Sequence, residues 1–536
     1  MNEGGDPSFR REWGRLFDPA SVAVVGASNF PGKWGFNMPL FLLGGGFRGK
    51  LFMVNPGERR VLGMPAYPSL RSIGEEVDLA IVAIPARVVL GAVEDAAAAG
   101  IRALIIVSSD FSESGPRGAA LEKELASAAN AAGITVVGPN TMGVFSCSSR
   151  MCALGAPVFP RPGCVSFISQ SGNLGVQVLN AGRRRGIGFS RFIGSGNAAN
   201  TDIPDYLDFL AEDPITRVIL VYAEGVRDGR RFLEATSRAA RRKPVIILKA
   251  GKGALGRRAV RSHSGALAGD IELFRAACRQ AEAIEAETSD ELLDLAAAFS
   301  ALPLPRGNRA AVLTLGGGWG VVAADACDRE GLGLAELPSS LIEELDSLLP
   351  RFWSRRNPVD IVGNVRRSNH LRIIRALVEC PEVDLLISMG TMLGKGFFLD
   401  NLLNTSLRPF FHLLRHRPGE LPHFLLSMAR GSLRSLRRRG PFNPEGSGGL
   451  DLKETWAWTD SFLSAYLEEL AERYGKPIIN VAVNEREESA SRSLRRYRIF
   501  TAATPEKAVR VAARMARYAE WRESAEGREE LPRLPR

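Results

Sequence analysis

One repeated unit restricts this chain more than anything else in it: a short β-branched run, a few small residues, then a helical stretch. Ser21-Val22-Ala23-Val24-Val25 leads into Gly26-Ala27-Ser28, and Cys164 to Ile168 leads into Ser169-Gln170-Ser171-Gly172-Asn173. Val218 to Tyr222 leads into Ala223-Glu224-Gly225, and Ala310 to Leu315 into Gly316-Gly317-Gly318-Trp319-Gly320. Runs this short and apolar throughout are strands covered on both faces. Alternating with helices, they predict parallel sheets with right-handed crossovers, the doubly wound α/β class. The same pattern places strands at Val77 to Ile84, Ala103 to Val107, Ile134 to Val137, Gly188 to Ile193 and Pro244 to Leu248.

A chain of 536 residues is too long for one core. Breaks at Pro160-Arg161-Pro162-Gly163 and at Leu302 to Gly307 divide it into expected domains at 1–157, 158–301 and 308–520, with a charged tail at 521–536. Inside the third, the rhythm stops between Gly396 and Tyr474, which reads as an insert. His412 and His416 in that insert have a spacing that suits zinc, but no third ligand accompanies them or His423, and no metal site is expected.

Composition excludes several classes. The formal charge is +10, but aromatics are only 7%, too few to interleave a nucleic-acid surface, so no nucleic-acid partner is expected. The longest apolar run, Ala310 to Ala326, is broken by Gly316 to Gly318, so no membrane span is expected. Met1 to Phe17 lacks an apolar signal core, and the six cysteines are scattered with no Cys-x-x-Cys pair; the expectation is free thiols in the cytoplasm.

Ligands of doubly wound sheets bind at the carboxyl ends of the strands. Gly26, Ala27 and Ser28 stand at one such end, where glycine lets backbone approach a phosphate and the next helix offers free N–H groups. The turn is not Gly-x-Gly-x-x-Gly, so the usual dinucleotide fingerprint is missing. Lys33, Asn55 and Pro85 mark neighbouring ends. Each alone reads as a turn residue or a solvated charge; together they outline one nucleotide-sized cleft. Ser169, Gln170, Ser171, Gly172 and Asn173 open a helix, as a cap and as an anion site. Glu224 follows a strand, where a carboxylate can accept a hydrogen bond from an imidazole and free its other nitrogen to attack. His263 sits among small residues in Ser262-His263-Ser264-Gly265-Ala266-Leu267-Ala268-Gly269-Asp270, a loop that can bring an imidazole to a phosphoryl group. Strand order carries Ser169 to Gly172, Glu224 and His263 to one edge of one sheet.

Five motifs then occur in order: Val25-Gly26-Ala27-Ser28, Gly138-Pro139-Asn140, Ser169-Gln170-Ser171-Gly172, Tyr222-Ala223-Glu224-Gly225 and Ser262 to Gly269. With them the chain resembles the α subunit of nucleoside-diphosphate-forming acyl-CoA synthetases, the ADP-forming acetate–CoA ligase type, relatives of succinyl-CoA synthetase. The resemblance covers about residues 15 to 394, and about 475 to 518 more loosely. It implies a Rossmann-like CoA-binding domain and two flavodoxin-like CoA-ligase domains. It implies that His263 carries a phosphoryl group, that Glu224 orients it, and that CoA lies around Gly26 to Ser28 with Lys33. Acyl-CoA and phosphate would give an acyl phosphate near Ser169 to Asn173, and His263 would pass its phosphoryl group to a nucleoside diphosphate. Thr141 departs from the cysteine common in the family after Gly138-Pro139-Asn140, which reads as a packing change. No ATP-grasp domain is visible, so the resemblance implies that ATP or ADP, with Mg2+, is held by a separate ATP-grasp β subunit in a hetero-oligomer, with acyl-CoA or a carboxylic acid as substrate. The alternative is a non-catalytic CoA-binding regulatory or scaffold protein on the same fold; joint retention of His263, Glu224 and the serine–glycine helix start favours the enzyme.

Overall fold

The computed structural model of the protein describes residues 13–264, 270–361, 367–390, 460–482 and 487–526. Most of the expected insert, with His412, His416 and His423, lies outside the described residues, as do 265–269 of the histidine motif. The chain divides into two compact units, Met1–Ser300 with Trp521–Arg536, and Ala301–Glu520.

The first unit holds two sheets. In the first, β1 (Ser21–Val25), β2 (Lys50–Val54), β3 (Arg60–Val61), β4 (Met64–Tyr67), β5 (Leu79–Val82), β6 (Ala103–Ile106) and β7 (Thr135–Val137) lie in the order β3-β4-β2-β1-β5-β6-β7. All neighbours are parallel except β3 and β4. Alternate residues of β1 supply two cores: Val22 and Val24 pack on one face, Ala23 and Val25 on the other. That two-sided burial is why the run has no polar residue after Ser21. The order reverses between β1 and β5, so the turn after β1 stands at the switch point of the sheet. Helix α1 (Trp34–Gly45) crosses that turn closely. A Cβ on Gly35 would stand 1.9 Å from the Gly26 carbonyl oxygen, and Gly26 has φ +84°. Both positions therefore need glycine. Helices α2 (Val89–Ala98) and α3 (Pro116–Ala131) complete the domain.

The second sheet has the order β14-β13-β12-β10-β11-β8-β9. Its parallel strands are β10 (Pro162–Ser169), β11 (Phe189–Gly194), β12 (Val218–Ala223), β13 (Val245–Lys249) and β14 (Ile284–Ala286). An antiparallel hairpin, β8 (Gly143–Ser146) and β9 (Met151–Leu154), extends it from β11. This corrects the expected boundary at 157/158: the change of sheet falls between β7 and β8. The Pro-rich break follows the hairpin because a hairpin can pair with either neighbour, and turn residues do not declare which. Helices α4 (Gly172–Arg185), α5 (Ile203–Glu212), α6 (Gly229–Arg242), α7 (Ala254–Ser264) and α8 (Ile271–Gln280) cover the sheet.

One buried guanidinium ties the two ends of this unit. Arg191 on β11 donates from Nε to Asp213 at 3.3 Å and from its terminal nitrogens to Asp18 at 3.0 and 3.1 Å. Asp18 directly follows the first described helical turn, whose Phe17 stacks on Phe209 of α5 with ring centroids 4.7 Å apart.

In the second unit, β15 (Arg309–Thr314), β16 (Gly333–Leu334), β17 (Val359–Asp360), β18 (Leu385–Met389), β19 (Ile478–Val481) and β20 (Thr501–Ala502) form an all-parallel sheet. Its last strand begins directly after Ile499 and Phe500, which are buried. The end of the expected insert is corrected too: Asp460–Tyr474 is a helix whose Leu463, Leu467 and Leu470 belong to this unit's core. The helix Pro505–Glu526 also runs through the expected start of the tail at 521.

Replacing Arg191 by Met leaves the Asp213 carboxylate, 2% exposed, without its cation. The expected loss is about 3–5 kcal/mol, read by urea denaturation, with most of it recovered in Arg191→Met/Asp213→Asn. Burial pushes His370 down to about 4 from 6.5. The unfolded chain therefore binds the extra proton first, and stability falls as pH drops from 6.5 towards 4, by at most on the order of 3 kcal/mol. His370→Gln should flatten that slope in urea titrations across this range.

Candidate active site

The site is built by register. Ser169 at the end of β10 pairs with Gly194 of β11 on one side and Tyr222 of β12 on the other. Tyr222 in turn pairs with Leu248, and Ala223 with Lys249, on β13. The residues that leave the sheet next are therefore neighbours in space: Gln170, Ser195, Glu224 and Ala250. Gln170 and Glu224, together with Asn140 of the Gly138-Pro139-Asn140 crossing and residues of the first domain, line a cleft of about 930 Å³. Its walls include Gln170, Ser171, Gly172, Asn173, Asn197, Glu224 and Arg227 on one side, and Trp34, Ser112, Glu113 and Glu122 on the other.

At the start of α4 the Ser171 hydroxyl caps the helix, accepting from Leu174 N at 3.5 Å. Ser169 is fully buried and donates to Ser171 O at 2.7 Å, so its hydroxyl braces the loop. Gly172 and Asn173 remain at the helix start facing the cleft, where backbone N–H groups and the helix dipole favour an anion. Gln170 turns its amide towards the next strand end. Its Oε1 accepts from Glu224 N at 2.6 Å and Gly225 N at 3.0 Å, and its Nε2 donates to Gly225 O at 3.0 Å.

Glu224 lies in the cleft wall and is 6% exposed. The Tyr222 hydroxyl hydrogen-bonds its carboxylate; burial first, and then this negative neighbour, push the phenol up to about 12. Lys249 holds the Glu224 carbonyl at 2.7 Å, and burial pulls its ammonium below the usual lysine range.

His263 is placed differently from the loop expected in the sequence. Ser262, His263 and Ser264 are the last residues of α7, which starts shortly after the carboxyl end of β13. The chain resumes at Asp270, whose carboxylate caps α8 by accepting from Glu272 N at 2.7 Å. Both stems of this segment are tied to the same short stretch of chain. Before it, Lys252 pairs with Glu285 at 3.1 Å and Glu287 at 2.8 Å; after it, Arg275 pairs with the same two at 3.4 and 3.5 Å.

The expected CoA residues form a separate group at the edge of the first sheet. The amides of Gly26 and Ala27 donate to Val54 O, and Ser28 N donates to Gly35 O, so this turn spends its N–H groups internally. Asn55 Nδ2 donates to Ala27 O at 2.7 Å, and Pro85 precedes a 3-10 turn. Lys33 precedes α1 with its ammonium 4.9 Å from the Phe30 ring centroid, and that ring is 68% exposed. Thr141 accepts from Gly143 N at 2.9 Å and donates to Gly194 O, so its hydroxyl pins the crossing to β11.

Several cleft residues were not singled out from sequence. Asn197 stands in the turn after β11; its Nδ2 lies 3.1 Å from Ser112 Oγ, 2.8 Å from Glu122 Oε2 and beside Glu113. It thus latches the second sheet's loop to the first domain. Arg227 donates to Ala198 O at 2.8 Å and to Asn197 O, and stands 3.7 Å from Glu122. Lys249 carried a usable signal, a lone cation ending an otherwise apolar strand. Among the described residues no group of three His, Cys, Asp or Glu could hold a metal ion.

Three family descriptions match the chain in order: CoA binding domain over residues 20–146, succinyl-CoA ligase like flavodoxin domain over 162–299, and Ligase-CoA domain over 310–393. Acetate–CoA ligase (ADP-forming) II subunit alpha of Pyrococcus furiosus is 40% identical over 381 residues, 70% of this chain and 81% of that protein. Acetate–CoA ligase (ADP-forming) I of Archaeoglobus fulgidus is 42% identical over 385 residues, 72% of this chain but 56% of that protein. The chain thus spans little more than half the length of that relative. A solved structure of a dinucleotide-forming acetyl-coenzyme A synthetase 1 from Ca. Korarchaeum cryptofilum, in complex with phosphate and ADP, superposes with a TM-score of 0.79 at 30% identity, covering 97% of this chain and 100% of that one. A three-domain CoA-ligase architecture with a cleft at the strand ends defines the class. The chain belongs to the family of ADP-forming acetate–CoA ligases, within the succinyl-CoA synthetase superfamily.

Removing the latch should cost stability without touching the helix start. Asn197→Ala is expected to lose about 1–3 kcal/mol by urea denaturation, because Glu122, 8% exposed, loses a donor. Asn197→Asp should lose more, since it sets a third carboxylate against Glu113 and Glu122.

Proposed function

We propose that this chain is the α subunit of an NDP-forming acyl-CoA synthetase, interconverting acyl-CoA, ADP and phosphate with carboxylic acid, CoA and ATP through a phosphohistidine. The observation that carries the reading is the meeting of Glu224 with the α4 start in one cleft of about 930 Å³ between two domains. Phosphate at Gly172 and Asn173 attacks the thioester carbonyl; the C–S bond breaks and CoA leaves as thiolate. The lone pair of an imidazole nitrogen of His263 then attacks the phosphorus of the acyl phosphate, and the carboxylate departs with the bonding electrons. Glu224 accepts a hydrogen bond from the other imidazole nitrogen and stabilises the charge that develops on the ring. Each step splits a difficult transfer into easier displacements, and the low-dielectric cleft strengthens the contacts to the moving negative charge.

CoA lies along the edge of the first sheet. Lys33 and the exposed Phe30 ring fit a ligand that carries both phosphates and an aromatic base, and the turn of Gly26, Ala27 and Ser28, braced by Asn55 and followed across the switch point by Pro85, gives the floor. The nucleotide, with Mg2+, is bound by an ATP-grasp β subunit. Relatives of two kinds support this: two from Pyrococcus furiosus named as α subunits, and longer single-chain ligases of which this chain spans only part. The enzyme works in the cytoplasm; its six cysteines form no disulfide, and among the described residues no helix is long and apolar enough to cross a membrane.

The test is direct. With labelled acetyl phosphate, or acetyl-CoA and labelled phosphate, the protein should take up acid-labile, base-stable phosphate. His263→Ala should take up none, and unchanged labelling would reject the assignment. Glu224→Gln should slow labelling while leaving CoA affinity, measured by calorimetry, unaltered; a pure CoA holder would bind CoA and take up no label at all.

A further inference from the structure

A carboxylate is only as well placed as the peptide that carries it, and the peptide of Glu224 is held in an unusual way. It follows the last residue of β12, where ladder hydrogen bonds end and a turn would ordinarily be satisfied by its own backbone or by water. Here side chains from two other strand ends do it. Gln170, in the turn between β10 and α4, receives the N–H groups of Glu224 and Gly225 on one oxygen and returns a hydrogen bond to Gly225 O. Lys249, the last residue of β13, donates to Glu224 O at 2.7 Å and to Ala250 O. The N–H and the C=O of Glu224 are thus each gripped by a side chain from a different neighbouring strand. Burying an ammonium to bind carbonyls is costly, and Lys249 is 5% exposed. Gln170 faces the cleft, yet its amide oxygen and one of the two hydrogens on its Nε2 are spent on the turn of Glu224 and Gly225.

We infer that Gln170 and Lys249 are positioning residues: they clamp the Glu224 peptide from both sides and so fix the carboxylate against the imidazole, and Gln170 is not a phosphate ligand. This rests on the reading of Glu224 and His263 as the phosphoryl-transfer pair. Gln170 also joins two parts of the reaction, since the turn that leads into the anion-binding helix start and the turn that carries the orienting acid move as one piece. Misplacement of a reacting group by about 1 Å costs on the order of 100-fold in rate.

The experiment is a double-mutant cycle on single-turnover labelling of the full chain by acetyl phosphate. Gln170→Ala should lower the saturating rate about 10- to 100-fold and leave the half-saturating acetyl phosphate concentration within about twofold. Because Gln170 acts through Glu224, adding Gln170→Ala to Glu224→Gln should cost no more than about twofold further. A raised half-saturating concentration with the maximal rate kept would make Gln170 a phosphate ligand and overturn the inference. Fully multiplicative losses in the double variant would overturn it as well. Lys249→Met should behave as Gln170→Ala does, and Lys249→Arg should recover part of the rate by restoring a donor; if Lys249→Met does not fold, the Gln170 cycle decides alone. Glu224→Gln labelling at the wild-type rate is a different failure, since it removes the pair on which the inference rests.

Discussion

Parallel pairing in a shared register is the constraint from which this site follows. Once β10, β11, β12 and β13 are aligned row by row, with Ser169 beside both Gly194 and Tyr222, the chain must leave the sheet at one level from four strands. A strand end exposes backbone groups that the ladder no longer serves. Four ends crowded at one level can serve one another: Gln170 after β10 and Lys249 on β13 both hold the Glu224 peptide after β12, while Thr141 from the crossing holds Gly194 O at the end of β11. Part of the polar lining of the cleft is therefore not added to the fold. Gln170 and Thr141 line it and also close strand ends, with Glu224 and the start of α4 left facing inwards.

The strand β13 shows how one chemical device serves two purposes. Lys243, just before it, is buried and donates to Leu210 O at 2.6 Å and to Asp213 O, closing the carboxyl end of α5; burial pulls it down to about 8. Lys249 at its far end makes the same kind of contact to carbonyls, but the carbonyl belongs to Glu224. An ammonium that satisfies backbone oxygen is a structural element at the amino end of the sheet. At the carboxyl end, where ligands of this fold class bind, the same contact bears on the residue proposed to orient the imidazole.

The sheets were legible in the sequence because strands covered on both faces leave an unbroken apolar signature, and β1, β10, β12 and β13 all carry it. Ser171 as a cap and Glu224 as a strand-end carboxylate followed from position alone. What did not follow was partnership. The hairpin of β8 and β9 carries no mark of which sheet it joins, since antiparallel pairing depends on a neighbour far along the chain. The helix Asp460–Tyr474 was hidden because its Leu463, Leu467 and Leu470 follow a long stretch without the strand–helix rhythm. The contacts of Gln170 to the Glu224 turn were not legible, because a sequence shows an amide at a helix start and not the direction in which it turns. His263 looked like a loop residue because its neighbours are small, but Ala254 to Ser264 have enough helix formers for the helix to run through it.

The pair of acids at Glu285 and Glu287 has a consequence for the segment between Lys252 and Arg275. Both of its feet stand on the same two carboxylates, so its two ends are already held together. The entropy of bringing its ends together has been met by ordinary folding, and any rearrangement between them starts from a fixed anchorage instead of from free chain. For the carrier role proposed for His263, this makes β14 the anchor around which its reach is drawn.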